Sequence, residues 1–295
     1  MIQSPIHSLD DDIAAWSEQL LANGYCVIPD LVQVEMIAEL ERDLGEDFAR
    51  TPFCRGGFYG ERTKRFGRLL TRSPRAADLV QHALVVGVAE RVLSPWCDNI
   101  QLNLTQAIAL HPGALAQFPH RDQDMWRGET GQVEYLVNVM WAFSDYNREN
   151  GATLIWPESH GSRALDPEVP ATQFAVELAP GSALLFLGST LHGGGGNNSE
   201  EVRRGAIVSY CLGWLKPYEN QWLAYPPEIA RHFSDELAAL VGYRQHRPNL
   251  GNFEGQCPSV LLKQASSTPA PATDALRPDQ EELLAAYVEE QRRAG

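Results

Sequence analysis

The order of predicted elements along this 295-residue sequence indicates an α+β fold, in which helices pack outside a core made mainly of β-strands. Helical periodicity dominates the first third, about residues 1–95, whereas short apolar or alternating segments separated by turn residues fill about residues 96–215. Several short strands at this spacing are typical of a sandwich or a barrel. Hydrophobic residues make up 44 % of the chain, which is enough to form a sizeable core.

The N-terminal part is predicted to contain three helices and one strand. Apolar residues at helical spacing predict helices over 10–22, 34–48 and 73–93, and Gly24 follows the first of them as a stop signal. Residues 25–29 read as a short strand that ends at a proline.

The middle of the chain is predicted to supply the strands. They fall over 99–110, 134–143, 152–156, 174–178, 183–187 and 203–212. The tetrapeptide Ala-Pro-Gly-Ser at 179–182 carries proline and glycine at the two central positions of a type II turn, which predicts a tight connection there.

The C-terminal tail differs in composition from the rest. Residues 264–279 are rich in Ser, Thr, Pro and Ala, which predicts a linker, and residues 281–293 form a charged helical pattern. That helix carries a thin apolar stripe of Leu283, Leu284, Tyr287 and Val288. We expect one domain over 1–263 and a tail over 264–295 whose helix docks on the body or on a second subunit, as in a homodimer.

Charge and cysteine usage limit the class of protein. A net charge of −14 argues against binding to nucleic acid, and no apolar segment approaches the length of a membrane span. The five cysteines form no CxxC pair, which predicts reduced thiols and not a disulfide frame or a cysteine-rich zinc fold. The N-terminus lacks a signal-peptide pattern, so we expect a cytoplasmic protein.

One segment is basic within this acidic chain. Between Arg55 and Arg75 lie Arg55, Arg62, Lys64, Arg65, Arg68, Arg72 and Arg75, opposed only by Glu61. The segment has two interpretations, a solvated loop or an anion-binding lid. Its Gly-Gly-Phe-Tyr-Gly sequence at 56–60 would suit a mobile loop over a substrate.

Three residues are candidates for metal ligands. His120 and Asp122 are two positions apart just beyond the first long strand, so in extended chain their side chains point the same way. His192 follows the strand over 183–187 and opens a run of four glycines, which is favoured where backbone passes close to another group. Two histidines and one carboxylate form the facial triad of non-haem Fe(II) oxygenases. HExxH, Gly-x-Ser-x-Gly and phosphate-loop motifs are absent from the sequence.

A candidate anion-binding residue follows this set. Arg203 and Arg204 begin the last strand, eleven residues after His192, and only one of them can point into a barrel. An inward guanidinium suits a carboxylate that is held by two hydrogen bonds. The pair itself leaves the choice open.

Taken in order, these segments resemble the phytanoyl-CoA dioxygenase family of Fe(II)- and 2-oxoglutarate-dependent oxygenases. The segments are His120-x-Asp122, Asn150-Gly-Ala-Thr-Leu-Ile-Trp-Pro-Glu-Ser-His160, Pro180-Gly-Ser-Ala-Leu-Leu-Phe186, His192-Gly-Gly-Gly-Gly-Asn197 and Arg203. The resemblance covers roughly residues 24–214. The motif Gly213-Trp-Leu-Lys216, with Glu219-Asn-Gln221, also looks like members that act on secondary metabolites or other small lipophilic molecules.

The resemblance implies a double-stranded β-helix, or jelly roll, with packed N-terminal helices. It implies that His120, Asp122 and His192 bind Fe(II), and that Arg203 or Arg204, with Gln117 and Thr153, holds 2-oxoglutarate; the spacing favours Arg203. Halogenating relatives replace the carboxylate with Gly or Ala, so Asp122 implies oxygenation by O2 with release of succinate and CO2. Hydroxylation is the default outcome, with desaturation and rearrangement as alternatives.

The substrate is less constrained. Four aromatic or soft side chains near the proposed site, Phe58, Tyr59, Met125 and Trp126, suggest a small lipophilic molecule. The alternatives are a substrate with a CoA or carboxylate group held by the Arg55–Arg75 segment, and a cupin-like metal protein that does not use 2-oxoglutarate.

Overall fold

A computed structural model describes residues 8–166, 168, 170–263 and 271–294 of the chain. The helices of that part are α1 (Leu9–Asn23), α2 (Val34–Arg50), α3 (Arg75–Val80), α4 (Ala83–Leu93), α5 (Gln221–Ala224), α6 (Pro227–Ala230), α7 (Asp235–Leu240), α8 (Val260–Lys263) and α9 (Pro278–Ala294). Its strands are β1 (Tyr25–Ile28), β2 (Thr63–Phe66), β3 (Ile100–Leu110), β4 (Leu136–Ala142), β5 (Thr153–Ile155), β6 (Phe174–Ala175), β7 (Ala183–Leu187), β8 (His192–Gly194) and β9 (Arg203–Leu212).

The strands form two antiparallel sheets. The larger has the order β1-β7-β4-β9-β3-β2 and the smaller has the order β6-β5-β8. Apolar side chains from both sheets meet in one core, to which Ile155 contributes from β5, and Met140 and Phe186 from the larger sheet. Two facing sheets with helices outside them confirm the predicted α+β jelly roll.

Strand β4 explains why most of residues 134–143 are apolar. Val137, Val139 and Trp141 belong to a second core on the helix side of the larger sheet, whereas Met140 and Ala142 pack between the two sheets. A strand that is buried on both faces needs apolar residues at nearly every position. The sheet therefore separates a structural core from the interior of the jelly roll.

The predicted helix over 73–93 is wrong in one respect, because it is interrupted at Gln81 and His82. His82 adopts ψ 116°, which is not helical, and α4 starts directly after it. The Val80 carbonyl at the end of α3 accepts a hydrogen bond from the buried Tyr210 hydroxyl at 2.6 Å. In a continuous helix this carbonyl would accept a hydrogen bond from the next turn. Here the Tyr210 hydroxyl on β9 takes the place of that donor.

Two further strands were not predicted. Strand β2 lies inside the basic segment and pairs with the end of β3, with Arg65 opposite Ile108. Strand β8 begins at His192 and includes glycines, which have low strand propensity, and it pairs with β5. Both strands are four residues or shorter, and pairing with distant partners forms them.

The segment before the C-terminal helix is hydrogen-bonded to the body at Asn249. The backbone N–H of Asn249 donates to the Ala275 carbonyl, and the Asn249 side chain accepts from the Ala275 N–H at 2.9 Å. No residue of α9 is buried. Residues 264–270 of the predicted linker lie outside the described residues. In the described part of the chain, no helix is long and apolar enough to cross a membrane.

Candidate metal centre

Three side chains proposed as metal ligands converge at one point. The ligand atoms of His120, Asp122 and His192 all lie within 4.8 Å of one another. Each histidine Nε2 lies 3.5 Å from a different oxygen of Asp122, with His120 near Oδ1 and His192 near Oδ2. Two imidazoles and one carboxylate at this spacing fit a divalent transition metal with open coordination positions.

Backbone pairing holds the two histidines side by side. The His120 N–H donates to the His192 carbonyl at 2.9 Å, and the His192 N–H donates to the His120 carbonyl at 3.0 Å. Their rings are 4.4 Å apart between centroids. Asp122 starts a short 3-10 turn, and the next N–H, of Gln123, donates to Gly188 at 3.2 Å. This backbone pairing therefore brings together two histidines that are 72 residues apart in sequence.

The glycine run permits this pairing. A Cβ added at Gly193 would lie 3.1 Å from the Gln117 carbonyl oxygen, and one at Gly195 would lie 2.7 Å from that of Ala152. These distances leave little or no space for a side chain. Gly193 thus allows the chain after His192 to lie against the segment that leads to His120, and Gly195 allows it to lie against the residues before β5.

The protonation of both rings suits metal binding. His120 Nδ1 lies 2.8 Å from the Phe118 carbonyl, and His192 Nδ1 lies 3.0 Å from the Thr190 carbonyl. A carbonyl oxygen can only accept, so each Nδ1 carries a hydrogen, and the neutral form of each ring presents an unprotonated Nε2 towards Asp122. Metal-bound histidines are oriented in the same way.

The two histidines differ in how their surroundings shift their pKa values. Burial lowers the pKa of His192 and favours the neutral ring. Burial alone would raise the pKa of Asp122, but the nearby His192 and His120 and a hydrogen bond from Asn138 bring it below its usual value. For His120, burial would lower the pKa, and the neighbouring Asp122 carboxylate more than offsets this. A charged Asp122 and a neutral His192 are the forms in which these groups bind metal.

The three candidate ligands line a cavity that also contains the predicted anion-binding residues. It measures about 340 Å³, and Arg203, Gln117 and Thr153 line it together with the three candidate ligands. Arg203 is only 4 % exposed. Its guanidinium donates to the Gly151 carbonyl at 2.6 Å and lies 4.4 Å above the Tyr146 ring, while its Nε has no partner in the described chain.

Arg204 does not reach this cavity. Its guanidinium lies 5.1 Å above the Phe48 ring of α2 and 3.5 Å from the Glu41 carboxylate. Neighbouring residues on β9 point to opposite faces, so Arg204 faces the helices. Of the two arginines, Arg203 is therefore the one whose side chain lines the cavity.

Three of the four predicted substrate-contacting residues line the cavity, and one does not. Phe58, Tyr59 and Met125 are in its wall, and the Phe58 ring packs 4.9 Å from His120. Trp126 packs near Tyr135 instead and donates its indole N–H to the Lys216 carbonyl at 2.9 Å. The Trp126 side chain therefore packs against the helix-side core and not in the wall of the cavity.

Sequence reasoning missed residues that the fold brings to this cavity. Arg65 and Tyr218 line it, and the Tyr218 hydroxyl contacts that of Tyr59. The Tyr218 N–H donates to Asn103 Oδ1 at 2.7 Å, where a register shift in β3 interrupts the pairing with β9. Arg65 was visible only as one member of the basic segment, and the β-formers Thr63 and Phe66 on either side were the signal for a strand.

Most of the basic segment has partners outside the cavity. Lys64 donates to the Phe48 and Ala49 carbonyls at the C-terminal end of α2, and Arg62 donates to the Pro112 carbonyl. Arg72 pairs with Asp47, and Arg75 with Glu39 and Asp78. The segment thus attaches acidic helix α2 to the body, and Arg65 is the basic residue between Arg55 and Arg75 that lines the cavity.

Sequence comparison relates the chain to a family of known proteins. Residues 20–205 match the model of the family described as phytanoyl-CoA dioxygenase (PhyH). The chain is 31 % identical over 222 residues to dioxygenase FrzG of Cladobotryum sp, covering 69 % of this chain and 71 % of that protein. It is 28 % identical to dioxygenase trt7 of Aspergillus terreus, covering 77 % of this chain and 83 % of that protein.

Solved structures share the fold. The epimerase SnoN, in a complex with Fe3+, α-ketoglutarate and nogalamycin RO, is similar with a TM-score of 0.57 at 17 % identity over 68 % of this chain and 84 % of that chain. HygX from Streptomyces hygroscopicus, with nickel, 2-oxoglutarate and hygromycin B bound, has a TM-score of 0.54 at 15 % identity over 70 % of this chain and 89 % of that chain. With the family match over most of the sequence, we conclude that this chain belongs to the phytanoyl-CoA dioxygenase family of iron- and 2-oxoglutarate-dependent oxygenases.

Proposed function

We propose that the protein hydroxylates an unactivated C–H bond of a small, neutral, lipophilic metabolite, using Fe(II), 2-oxoglutarate and O2. His120, Asp122 and His192 would hold the iron. The observation that carries the proposal is that two histidines, one carboxylate and the buried guanidinium of Arg203 line the same cavity. When bound, the iron and its cosubstrate supply the oxidising power, and succinate and CO2 are released.

Arg203 is suited to the distal carboxylate of 2-oxoglutarate. The Gly151 carbonyl and the Tyr146 ring fix its guanidinium, which leaves Nε free to donate. Arg65 is a second buried guanidinium in the wall, held by Gln106 at 3.1 Å, and its Nε also has no partner in the described chain. Burial and the charge of Arg203 lower the pKa of Arg65. A dianion between the two arginines would relieve their repulsion, and Gln117 and Thr153 would add hydrogen bonds.

The rest of the cavity favours an apolar substrate. Its wall includes Leu104, Ile108, Met140, Phe186 and Ile207. Phe58 and Met125 also line it and remain partly exposed, at 49 % and 41 %. Exposed apolar side chains at the rim of a pocket are typical of ligand-binding surfaces. We infer that the substrate enters past these two residues.

The partners of the basic segment argue against a CoA substrate. A CoA ester needs free cations near the mouth, but Lys64, Arg72 and Arg75 are held by α2 or its neighbours. We expect the double variant Arg55→Ala/Arg62→Ala, which removes two exposed cations of the segment, to leave the KM of a neutral substrate within about two-fold, since exposed cations contribute little to binding a neutral ligand. Turnover of a CoA ester that is lost in this variant would instead support the acyl-CoA alternative.

The cofactor assignment is tested by anaerobic titration of metal-free protein with Fe(II) and then 2-oxoglutarate. Chelation of the cosubstrate to the iron produces a weak visible charge-transfer band. We expect the band in the wild type, its loss in His192→Ala, and about a 100-fold weaker 2-oxoglutarate affinity in Arg203→Ala, since breaking a buried charge pair costs several kcal/mol.

The control is Arg204→Ala, which removes the adjacent guanidinium from the opposite face of β9 and should leave the band and the 2-oxoglutarate affinity unchanged. Iron binding without a band in the wild type would favour the cupin-like alternative. Failure to bind iron at all would contradict the enzymatic function proposed for this site.

We also propose that the protein is a homodimer in the cytoplasm. Helix α9 presents Leu283, Leu284 and Tyr287 to solvent, at 71 %, 42 % and 58 % exposure. An amphipathic helix without packing is only marginally stable in water, so a second copy of the chain that covers this stripe would stabilise it. The five cysteines are unpaired, as expected of a reducing compartment.

A further inference from the structure

One buried amide lies directly behind the candidate metal centre. Asn138 is on β4 and is fully buried, and its Nδ2 donates to Oδ2 of Asp122 at 2.9 Å. The orientation of this amide is determined by chemistry, because an ionised carboxylate accepts hydrogen bonds and cannot donate. Its Oδ1 has no hydrogen-bond partner in the described chain.

Asn138 is a polar residue in an otherwise apolar, buried strand. Side chains at 138, 140 and 142 share one face of β4, and Met140 and Ala142 pack in the apolar core between the sheets. An amide at such a position costs free energy unless its hydrogen bonds are made. The hydrogen bond that Asn138 makes there is directed at a candidate metal ligand.

The geometry points to Asn138 as a positioning residue, which holds Oδ2 of Asp122 and so reserves Oδ1 for the metal. This inference rests on the proposed function, because it assigns Asn138 a role through Asp122. Without the amide, the carboxylate could rotate between the two histidines, which lie 3.5 Å from its two oxygens. A carboxylate that binds through one oxygen leaves more coordination positions open than one that binds through two.

The test is metal binding by Asn138→Leu and Asn138→Ala, with Co(II) as the probe and visible absorption as the readout. Hydrogen-bond partners of metal ligands typically change metal affinity 10- to 100-fold, so we expect the Kd for Co(II) to rise by about that factor in both variants. The visible bands should also weaken, because freeing Oδ2 allows a higher coordination number. Circular dichroism establishes that each variant is folded at the titration temperature.

Asn103→Leu is the matched control. Asn103 is also fully buried and lines the same cavity, but its side chain donates to Ser209 at 3.0 Å and does not contact Asp122. We expect its Kd and Co(II) spectrum to stay close to those of the wild type. A folded Asn138→Ala that binds Co(II) with wild-type Kd and spectrum, or an equal loss in Asn103→Leu, would overturn the inference and leave the proposed function standing. A wild type that binds no Co(II) would overturn both.

Discussion

At the scale of single residues, burial changes the ionisation of Glu134, a carboxyl outside the metal centre. Its carboxyl is 6 % exposed and accepts a hydrogen bond from the Ser189 hydroxyl, while its second oxygen has no partner in the described chain. Burial raises the pKa of Glu134 to about 7. Part of the protein's stability must therefore depend on pH.

The sign of this dependence follows from the two states. Below pH 4.5 the carboxyl is protonated in both the folded and the unfolded chain. Between 4.5 and about 7 the unfolded chain loses a proton that the folded chain keeps, so stability falls as pH rises. Above about pH 7 the carboxyl is ionised in both states, and the folded state bears the full free-energy cost of the buried charge, roughly 3 kcal/mol.

Glu134→Gln should remove this contribution, because the amide is always neutral and its oxygen still accepts from Ser189. We expect the variant to be more stable than the wild type at pH 8 by up to roughly 3 kcal/mol, and the difference to vanish near pH 4.5. Urea denaturation across this range measures it. A difference that does not change with pH would contradict the assignment of a titrating, buried Glu134.

At the scale of elements, the position of each short strand depends on what it lies against. Strand β8 contains glycines that no propensity scale would place in a strand, and β2 lies within a basic segment that reads as a loop. Both are positioned by their partners, β5 and β3. The long strands β3, β4, β7 and β9 were predictable because their own apolar residues require burial.

Two glycine substitutions of the same kind should have opposite effects. In Gly195→Ala the new methyl group would meet backbone atoms, with the Ala152 carbonyl oxygen at 2.7 Å, so we expect a loss of about 1–3 kcal/mol of stability. In Gly45→Ala, inside α2, no atom lies within 4 Å, and we expect a gain of about 0.5–1 kcal/mol.

The free energy of unfolding in urea measures both changes. Equal effects in the two variants would show that the close approach along the glycine run is not what Gly195 provides.

For the whole molecule, we predict that a second copy of the chain covers the exposed apolar stripe of α9. Light scattering of the full chain should give the mass of a dimer, and the double variant Leu283→Glu/Leu284→Glu should give that of a monomer, because charges on this stripe oppose burial. Deletion of residues 264–295 should have the same effect without lowering the unfolding temperature of the body. A full chain that remains monomeric at micromolar concentration would contradict the proposed dimer.

Some of this protein's features followed from the sequence alone. The fold class follows from hydrophobic periodicity, since each long element must bury the face that its own residues define. The types of chemical group followed as well: His120, Asp122, His192 and an arginine stand in an order and spacing typical of one family. That periodicity could also show that only one of Arg203 and Arg204 points inward, because alternation on a strand is a local property.

Only the tertiary structure decided which groups share the cavity. It selected Arg203 over Arg204, added Arg65 and Asn138, and turned Trp126 away. It also showed that most of the basic segment is paired, which the sequence left open. The physical reason is that these assignments depend on contacts between residues far apart in the chain. Such contacts are fixed when the sheets close over a common core, whereas local spacing fixes only the direction of a side chain relative to its neighbours.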